Sequence, residues 1–187
     1  MIKFKSTKIL VQSIVIMFII ILLLIIRITV KPSIHMISGN SMVPTVKNGD
    51  YVVTTKVKTI NRYSIVVIKE NNSEELLIKR VIGIPGDGIV RSGNNVSIVN
   101  KMIRNSDFLY NFRVSNETLI ELRSHTHIPF NKYFVIGDNL EYSRDSRMFG
   151  LIDEEQIIEQ VKGKLFPLSQ FELLYKKNKA TSNFFFY

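Results

Sequence analysis

Cysteine is absent from the 187 residues, which excludes disulfides, zinc–thiolate sites and cysteine nucleophiles together. Outside the cytoplasm the fold must therefore hold without covalent staples. Alanine occurs once, at Ala180. No small-x-small cleavage site follows the N-terminal apolar run, where Arg27-Ile28-Thr29-Val30-Lys31 stands instead. Acidic residues are few: 16 Asp and Glu face 25 Lys and Arg, a net charge of +9. That excess invites a nucleic-acid reading. The basic residues are dispersed, however, and no helix-turn-helix or zinc-finger pattern accompanies them, so no nucleic acid is expected. A basic face near anionic lipid headgroups accounts for the charge as well. Internal repeats and low-complexity blocks are also missing.

What the chain has in abundance is a long hydrophobic run. Ile9 to Ile26 is interrupted only by Gln12 and Ser13. As a helix those residues span about 27 Å, close to the thickness of a bilayer's hydrocarbon core. Lys3, Lys5 and Lys8 precede the run, which by the positive-inside rule places the N-terminus in the cytoplasm. With no cleavage site the run reads as a retained anchor. The expected organisation is a cytoplasmic N-terminus at 1–8, a transmembrane anchor at 9–30, and an extracytoplasmic β-rich domain at 31–187.

Beyond the anchor, Pro32 ends the helix because its ring cannot continue the hydrogen-bond ladder. Lys47 to Asp50 forms a turn. Strands are predicted at Tyr51 to Thr55, Ile65 to Ile68 and Glu75 to Gly83 from their β-branched and apolar content. Pro85-Gly86 fits the centre of a type II turn. Gly88 to Arg91 and Val96 to Val99 flank Ser92-Gly93-Asn94-Asn95, a hairpin signal. Further strands are predicted at Phe108 to Val114, Thr118 to Arg123, Asn131 to Ile136, Val161 to Phe166 and Phe171 to Tyr175. Asp153 to Gln160 reads as one short helix. The fold class is mainly β, an antiparallel domain preceded by a single N-terminal transmembrane helix.

Three polar patches stand out. Ser38-Gly39-Asn40-Ser41-Met42-Val43-Pro44-Thr45 sets a hydroxyl between a glycine turn and a proline. Ser41 is a candidate nucleophile there, although a plain loop serine has the same local appearance. A serine hydroxyl needs a base within hydrogen-bond reach. His35 is near only in sequence, and His125 and His127 lack an orienting motif. Those two alternate as on one strand face, but no third histidine is nearby, so they read as solvated strand residues rather than metal ligands. Lysine serves as a base when burial lowers its pKa. Lys79, within Leu76 to Gly83, sits in a strand apolar enough to bury its stem, though the same pattern suits an exposed lysine. Its neighbour Arg80 points to the opposite face, so one of the pair must look inward or lie along a groove. The third patch runs from Gly137 to Arg147. There Ser143 can orient an amine and Asp145 can pair with Arg147, or the segment can be a polar turn with surface ion pairs.

Taken jointly and in this order, the patches resemble the type I signal peptidases, membrane-anchored Ser-Lys proteases of family S26. The resemblance covers the anchor and nearly all of the following domain. It implies Ser41 as nucleophile and, from Ile78 to Asp87, Lys79 as general base. Gly137-Asp138-Asn139 through Ser143, Asp145, Ser146, Arg147 and Gly150 matches the family's third box. That match implies Ser143 as the hydroxyl that positions the lysine amine, with Asp145 and Arg147 in support. Some relatives place an oxyanion-hole serine two residues before the nucleophile; here that position is Gly39, so the hole is expected to be mostly main chain. Leu140 replaces an arginine, and Asn61 to Ile68 is a diverged form of the family's Arg-Gly-Asp-Ile-Val strand. The implied activity is removal of signal peptides from exported preproteins after small residues, beside the lipid bilayer and without cofactor or metal. A noncatalytic tethered homologue that binds preproteins is the alternative. A self-cleaving Ser-Lys repressor would need a DNA-binding segment and its own cut site, which this chain lacks. No oligomeric state is assigned.

Overall fold

The structure is a computed structural model that describes residues 3–70, 74–100, 110–166 and 174. It divides into two units, Met1–Ser33 and Ile34–Tyr187. The first holds helix α1, Lys3–Val30. Its segment Lys8–Ile25 is long and apolar enough to cross a membrane, and none of it is buried within the protein. A side-chain set this apolar and this exposed suits lipid, where the helix satisfies its own backbone.

The second unit is mainly β. Strands β1 (Ser33–Met36), β2 (Tyr51–Lys56), β3 (Ile65–Lys69), β4 (Leu76–Gly83), β8 (Lys132–Ile136), β9 (Ile152–Asp153) and β10 (Ile157–Phe166) form one sheet in the order β1-β2-β10-β3-β4-β8-β9. A second sheet pairs β5 (Gly88–Ser92), β6 (Asn95–Val99) and β7 (Tyr110–Arg113). The β5–β6 hairpin closes through Gly93, which takes φ +59°. Gly86 takes φ +86°, and the Asp87 N–H donates to the Ile84 carbonyl at 3.1 Å, completing the predicted type II turn. Asp87 also fastens that turn, accepting from the Ile84 N–H at 2.8 Å and from Arg62 at 2.6 Å.

Three expectations are corrected. Thr118 to Arg123, predicted as a strand, is helix α2, Asn116–Arg123. Ser115 caps it by accepting the Thr118 N–H, Glu117 stands in the first turn, and Thr118, Leu119 and Leu122 bury one face. Asp153 to Gln160, predicted as a helix, gives only a 3-10 turn at Glu154–Gln156 held by an Asp153–Gln156 capping box. The chain then enters β10, which pairs with both β2 and β3. Strand β1 was not anticipated from sequence. His125 follows α2 instead of lying on a strand, and His127 makes only an isolated bridge with Gly88. The strand expected at Phe171 to Tyr175 lies outside the described residues except for Leu174, which is helical.

One apolar cluster lies between the hairpin sheet and α2 and includes Val96, Ile98, Leu122 and Phe134. Another lies beneath the serine loop, where Met42, Val46, Val52 and Val67 pack together. Burying side chains of this size stabilises by about 1.5–3 kcal/mol each. Met42 and Val46, both fully buried, therefore act as two pegs that fix the loop on either side of its turn.

Candidate active site

The serine loop is an irregular turn between β1 and β2. Its conformation follows from its residues. Gly39 takes φ +94°, a region that other residues enter at a cost, and its N–H donates to Asn48 Oδ1 at 3.1 Å. The Val43 N–H donates to the Asn40 carbonyl and the Val46 N–H to the Met42 carbonyl, at 3.2 and 2.9 Å. Ser41 is left half-exposed at the head of the turn. Among the described residues, its N–H donates to no protein group.

Lys79 comes from the middle of β4, in register with Val66 of β3. The side chain is 2% exposed. Nζ lies 3.1 Å from Ser41 Oγ, within hydrogen-bond distance across 38 residues of sequence. Burial is the main cause that pulls the Lys79 amine below the ordinary lysine range. Asp145 and Glu75 oppose that shift, while Arg147 reinforces it. A lowered pKa makes the neutral amine available at milder pH, and a neutral amine carries the lone pair that a serine proton needs.

Arg80, the next residue, is buried as well. It lies on the other face, with Nε and Nη2 at 2.7 and 2.6 Å from the two Asp138 carboxylate oxygens. Thr45 Oγ1 donates to the same carboxylate at 2.5 Å. Sequence required that one of the two cations look inward or lie along a groove; both are buried. Arg80 and Asp138 join β4, the serine loop and the segment after β8 at one point. This pairing was not anticipated from sequence.

The segment after β8 closes over the serine. The Asn139 N–H donates to the Ser41 carbonyl at 2.9 Å, and Asn139 Nδ2 donates to the Asn40 carbonyl at 3.1 Å. A Cβ at Gly137 would overlap Ser143 Oγ and the Ser41 carbonyl oxygen. Only glycine permits that close approach. Ser143 is buried, and among the described residues its Oγ has no hydrogen-bond partner, so no bond joins it to Lys79. Asp145 is fully buried and accepts from the Gly137 N–H at 3.0 Å and from Arg147 Nε at 2.8 Å. Arg147 Nη2 also donates to the Leu140 carbonyl at 2.7 Å. The structure thus brings Ser41 to Lys79 and Asp145 to Arg147.

A cleft of about 580 Å³ passes the serine. Met36, Ile37, Leu76, Ile78, Tyr142 and Arg144 are among its lining residues. A wider polar hollow of about 1280 Å³, around Lys58, Glu70 and Glu155, contains none of these groups. His35 bonds Glu159 at 2.6 Å, and His127 Nδ1 lies 3.0 Å from Thr126 Oγ1. Among the described residues, no group of three or more His, Asp or Glu is placed to hold a metal ion.

The profile of the family described as "Signal peptidase, peptidase S26" matches residues 9–166, which takes in the serine loop, Lys79 and the closing segment. The chain belongs to the signal peptidase family. It is 36% identical over 155 residues to signal peptidase IB of Staphylococcus aureus, covering 74% of this chain and 80% of that one. Against signal peptidase I of Bacillus caldolyticus the identity is 32% over 149 residues, with 73% and 81% covered. A crystal structure of a signal peptidase I from Enterococcus faecalis overlays at a TM-score of 0.38 with 22% identity, covering 54% of this chain and 95% of that one. In the segment Asn61 to Ile68, which the resemblance gives as a diverged form of the family's Arg-Gly-Asp-Ile-Val strand, Tyr63 takes φ +67°. Ser64 accepts from Gln160 at 2.8 Å. Arg62 donates to the Ile82 carbonyl and to Asp87.

Proposed function

We propose that this chain removes signal peptides from exported preproteins by hydrolysis at Ser41, with Lys79 as the general base. The observation that carries the reading is the 3.1 Å approach of a buried, weakened lysine amine to the serine hydroxyl, in a chain of the signal peptidase family. Neutral Lys79 accepts the Ser41 proton as Oγ attacks the scissile carbonyl. The oxyanion rests on main-chain donors, the Ser41 N–H first among them; the Gly39 N–H is engaged by Asn48. Collapse of the intermediate breaks the C–N bond, and the leaving amine takes the proton from Lys79. Lys79 then deprotonates a water that attacks the acyl ester, and the proton returns to Ser41 Oγ.

Strand β1 stands at the edge of its sheet, and Met36 at its end lines the cleft. An extended substrate therefore adds as a further strand, with alternate side chains entering small apolar pockets. Ser143 supplies a hydroxyl beside the dyad for the lysine amine to meet during turnover. Asp145 and Arg147 support that segment. Helix α1 anchors the enzyme with Lys3, Lys5 and Lys8 on the cytoplasmic side and residues 31–187 on the outer face.

The test is cleavage of a preprotein by wild type, Ser41→Ala and Lys79→Ala. Both variants are expected to lose at least about 10³-fold in kcat, and activity retained by either would sink the reading. The pH profile gives a second measurement. Protonated Lys79 is inactive as a base, so the rate rises with pH through a pKa below that of an ordinary lysine. A limb controlled near 10.4, the usual lysine value, would contradict it.

A further inference from the structure

Helix α2 carries none of the reacting groups, yet its polar contacts converge on the segment that holds Asp145 and Arg147. The Ser115 N–H donates to the Arg147 carbonyl at 2.8 Å, and Ser115 Oγ donates to the Met148 carbonyl at 3.1 Å. Thr118 Oγ1 reaches the Ser146 carbonyl at 3.5 Å. One turn further on, Glu121 Oε2 accepts the Leu151 N–H at 3.3 Å. Four backbone groups of helix α3 (Ser146–Phe149) and its exit thus bond to α2 or its cap. Gly150 makes the last contact possible, because a Cβ there would overlap the Glu121 carboxylate.

The far end of α2 is held independently. Arg91 Nη1 donates to the Leu122 carbonyl and, at 2.6 Å, to the His125 carbonyl, setting a cation at the negative end of the helix dipole. Leu119 and Leu122 bury into the cluster shared with the hairpin sheet. The helix is therefore fixed to the hairpin while it grips α3. Asp145 in turn caps α3 by accepting the Arg147 N–H, and both charges act on Lys79.

We propose that Ser115 and Glu121 are positioning residues for the catalytic step, holding the Asp145–Arg147 segment against Lys79. The proposal rests on the Ser41–Lys79 reading. Its consequence has a direction. Burial is the largest cause acting on the Lys79 amine and lowers it, ahead of the Asp145 and Glu75 charges that raise it and the Arg147 charge that lowers it, so a loosened segment that admits water returns the amine toward its ordinary value. The acid limb of the rate profile then moves to higher pH. A helix that only stabilised the fold would change the amount of active protein and leave that limb in place. Glu121 is itself half-buried, and burial raises its carboxyl above the usual range, with the Leu151 N–H bond, Lys132 and His125 opposing and Asp153 assisting. What the Leu151 N–H requires from this position is an acceptor oxygen.

The experiment uses the full chain in phospholipid micelles and a fluorogenic signal-sequence peptide, read across pH. Glu121→Ala is expected to lower kcat about tenfold, to leave KM within about twofold, and to move the acid limb upward by about half a unit. Glu121→Gln keeps an acceptor oxygen for the Leu151 N–H and restores both readings. Ser115→Ala shifts the limb the same way and carries the test should Glu121→Ala fail to fold. An unmoved limb in Ser115→Ala and in folded Glu121→Ala overturns the proposal while Lys79→Ala stays inactive. An active Lys79→Ala instead overturns the dyad reading, and the proposal with it.

Discussion

At the scale of single residues, Gly137 and Ser143 show how little space the site leaves. Gly137 has no side chain because the Ser143 hydroxyl and the Ser41 carbonyl occupy the place of its Cβ. Gly137→Ala must push one of them away. The expected result is a loss of about 10²-fold in kcat, the usual consequence of a displacement near 1 Å, with the thermal midpoint measured alongside to show that the fold persists. Ser143 makes a sharper pair of measurements. A buried hydroxyl without a partner costs about 1–3 kcal/mol, and Ser143 Oγ is such a group among the described residues. Ser143→Ala is therefore expected to keep or raise stability while lowering kcat by at least about tenfold, if its hydroxyl meets the lysine amine during turnover as proposed. A variant that lost stability and kept its rate would assign Ser143 to the fold alone.

Elements meet at the Arg80–Asp138 pair, where β4, the serine loop and the segment after β8 are joined by a two-pronged contact with Thr45 attached. The Asp138 side chain is 1% exposed and that of Arg80 is 9% exposed. Asp138→Ala leaves a buried guanidinium without its carboxylate, and such losses cost about 3–5 kcal/mol; denaturant unfolding should show a cost in that range. Replacing both partners with apolar residues is expected to cost less, since no buried charge then remains. Sequence pattern revealed β2, β3, β4 and the hairpin because their apolar alternation is strong and their turns carry Gly, Pro or Asn. It misread α2 because Thr118-Leu119-Ile120 suits a strand as readily as a single helical face over so few residues; the decisive signal was the serine at 115. It misread the entry to β10 because the capping box at Asp153 announces a helix that stops after one turn. Ser41, Lys79 and the Ser143 to Arg147 segment were legible as candidates through their motifs. The Arg80–Asp138 pair was not, because its partners lie 58 residues apart in sequence and only the fold brings them together.

For the whole molecule, the question is what the apolar helix contributes to a reaction whose groups all lie elsewhere. Ser41, Lys79, Ser143, Asp145, Arg147 and the residues lining the cleft all fall within the unit Ile34–Tyr187. Helix α1 supplies no reacting atom. Its contribution under the proposed function is concentration, because a tethered enzyme meets a membrane-held preprotein in a thin layer rather than in bulk water. Tethering of this kind raises apparent affinity by about 10²–10⁴ without any new contact. A chain starting at Lys31 should therefore hydrolyse a soluble signal-sequence peptide with kcat/KM within about twofold of the full chain, the change expected when a remote and independent part is removed. On a preprotein embedded in vesicles the same truncation should lose at least about 10²-fold. Fusing an unrelated apolar helix in place of residues 9–30 should restore the vesicle rate. Comparable losses on both substrates would mean that α1 shapes the cleft, and the tether argument would fail.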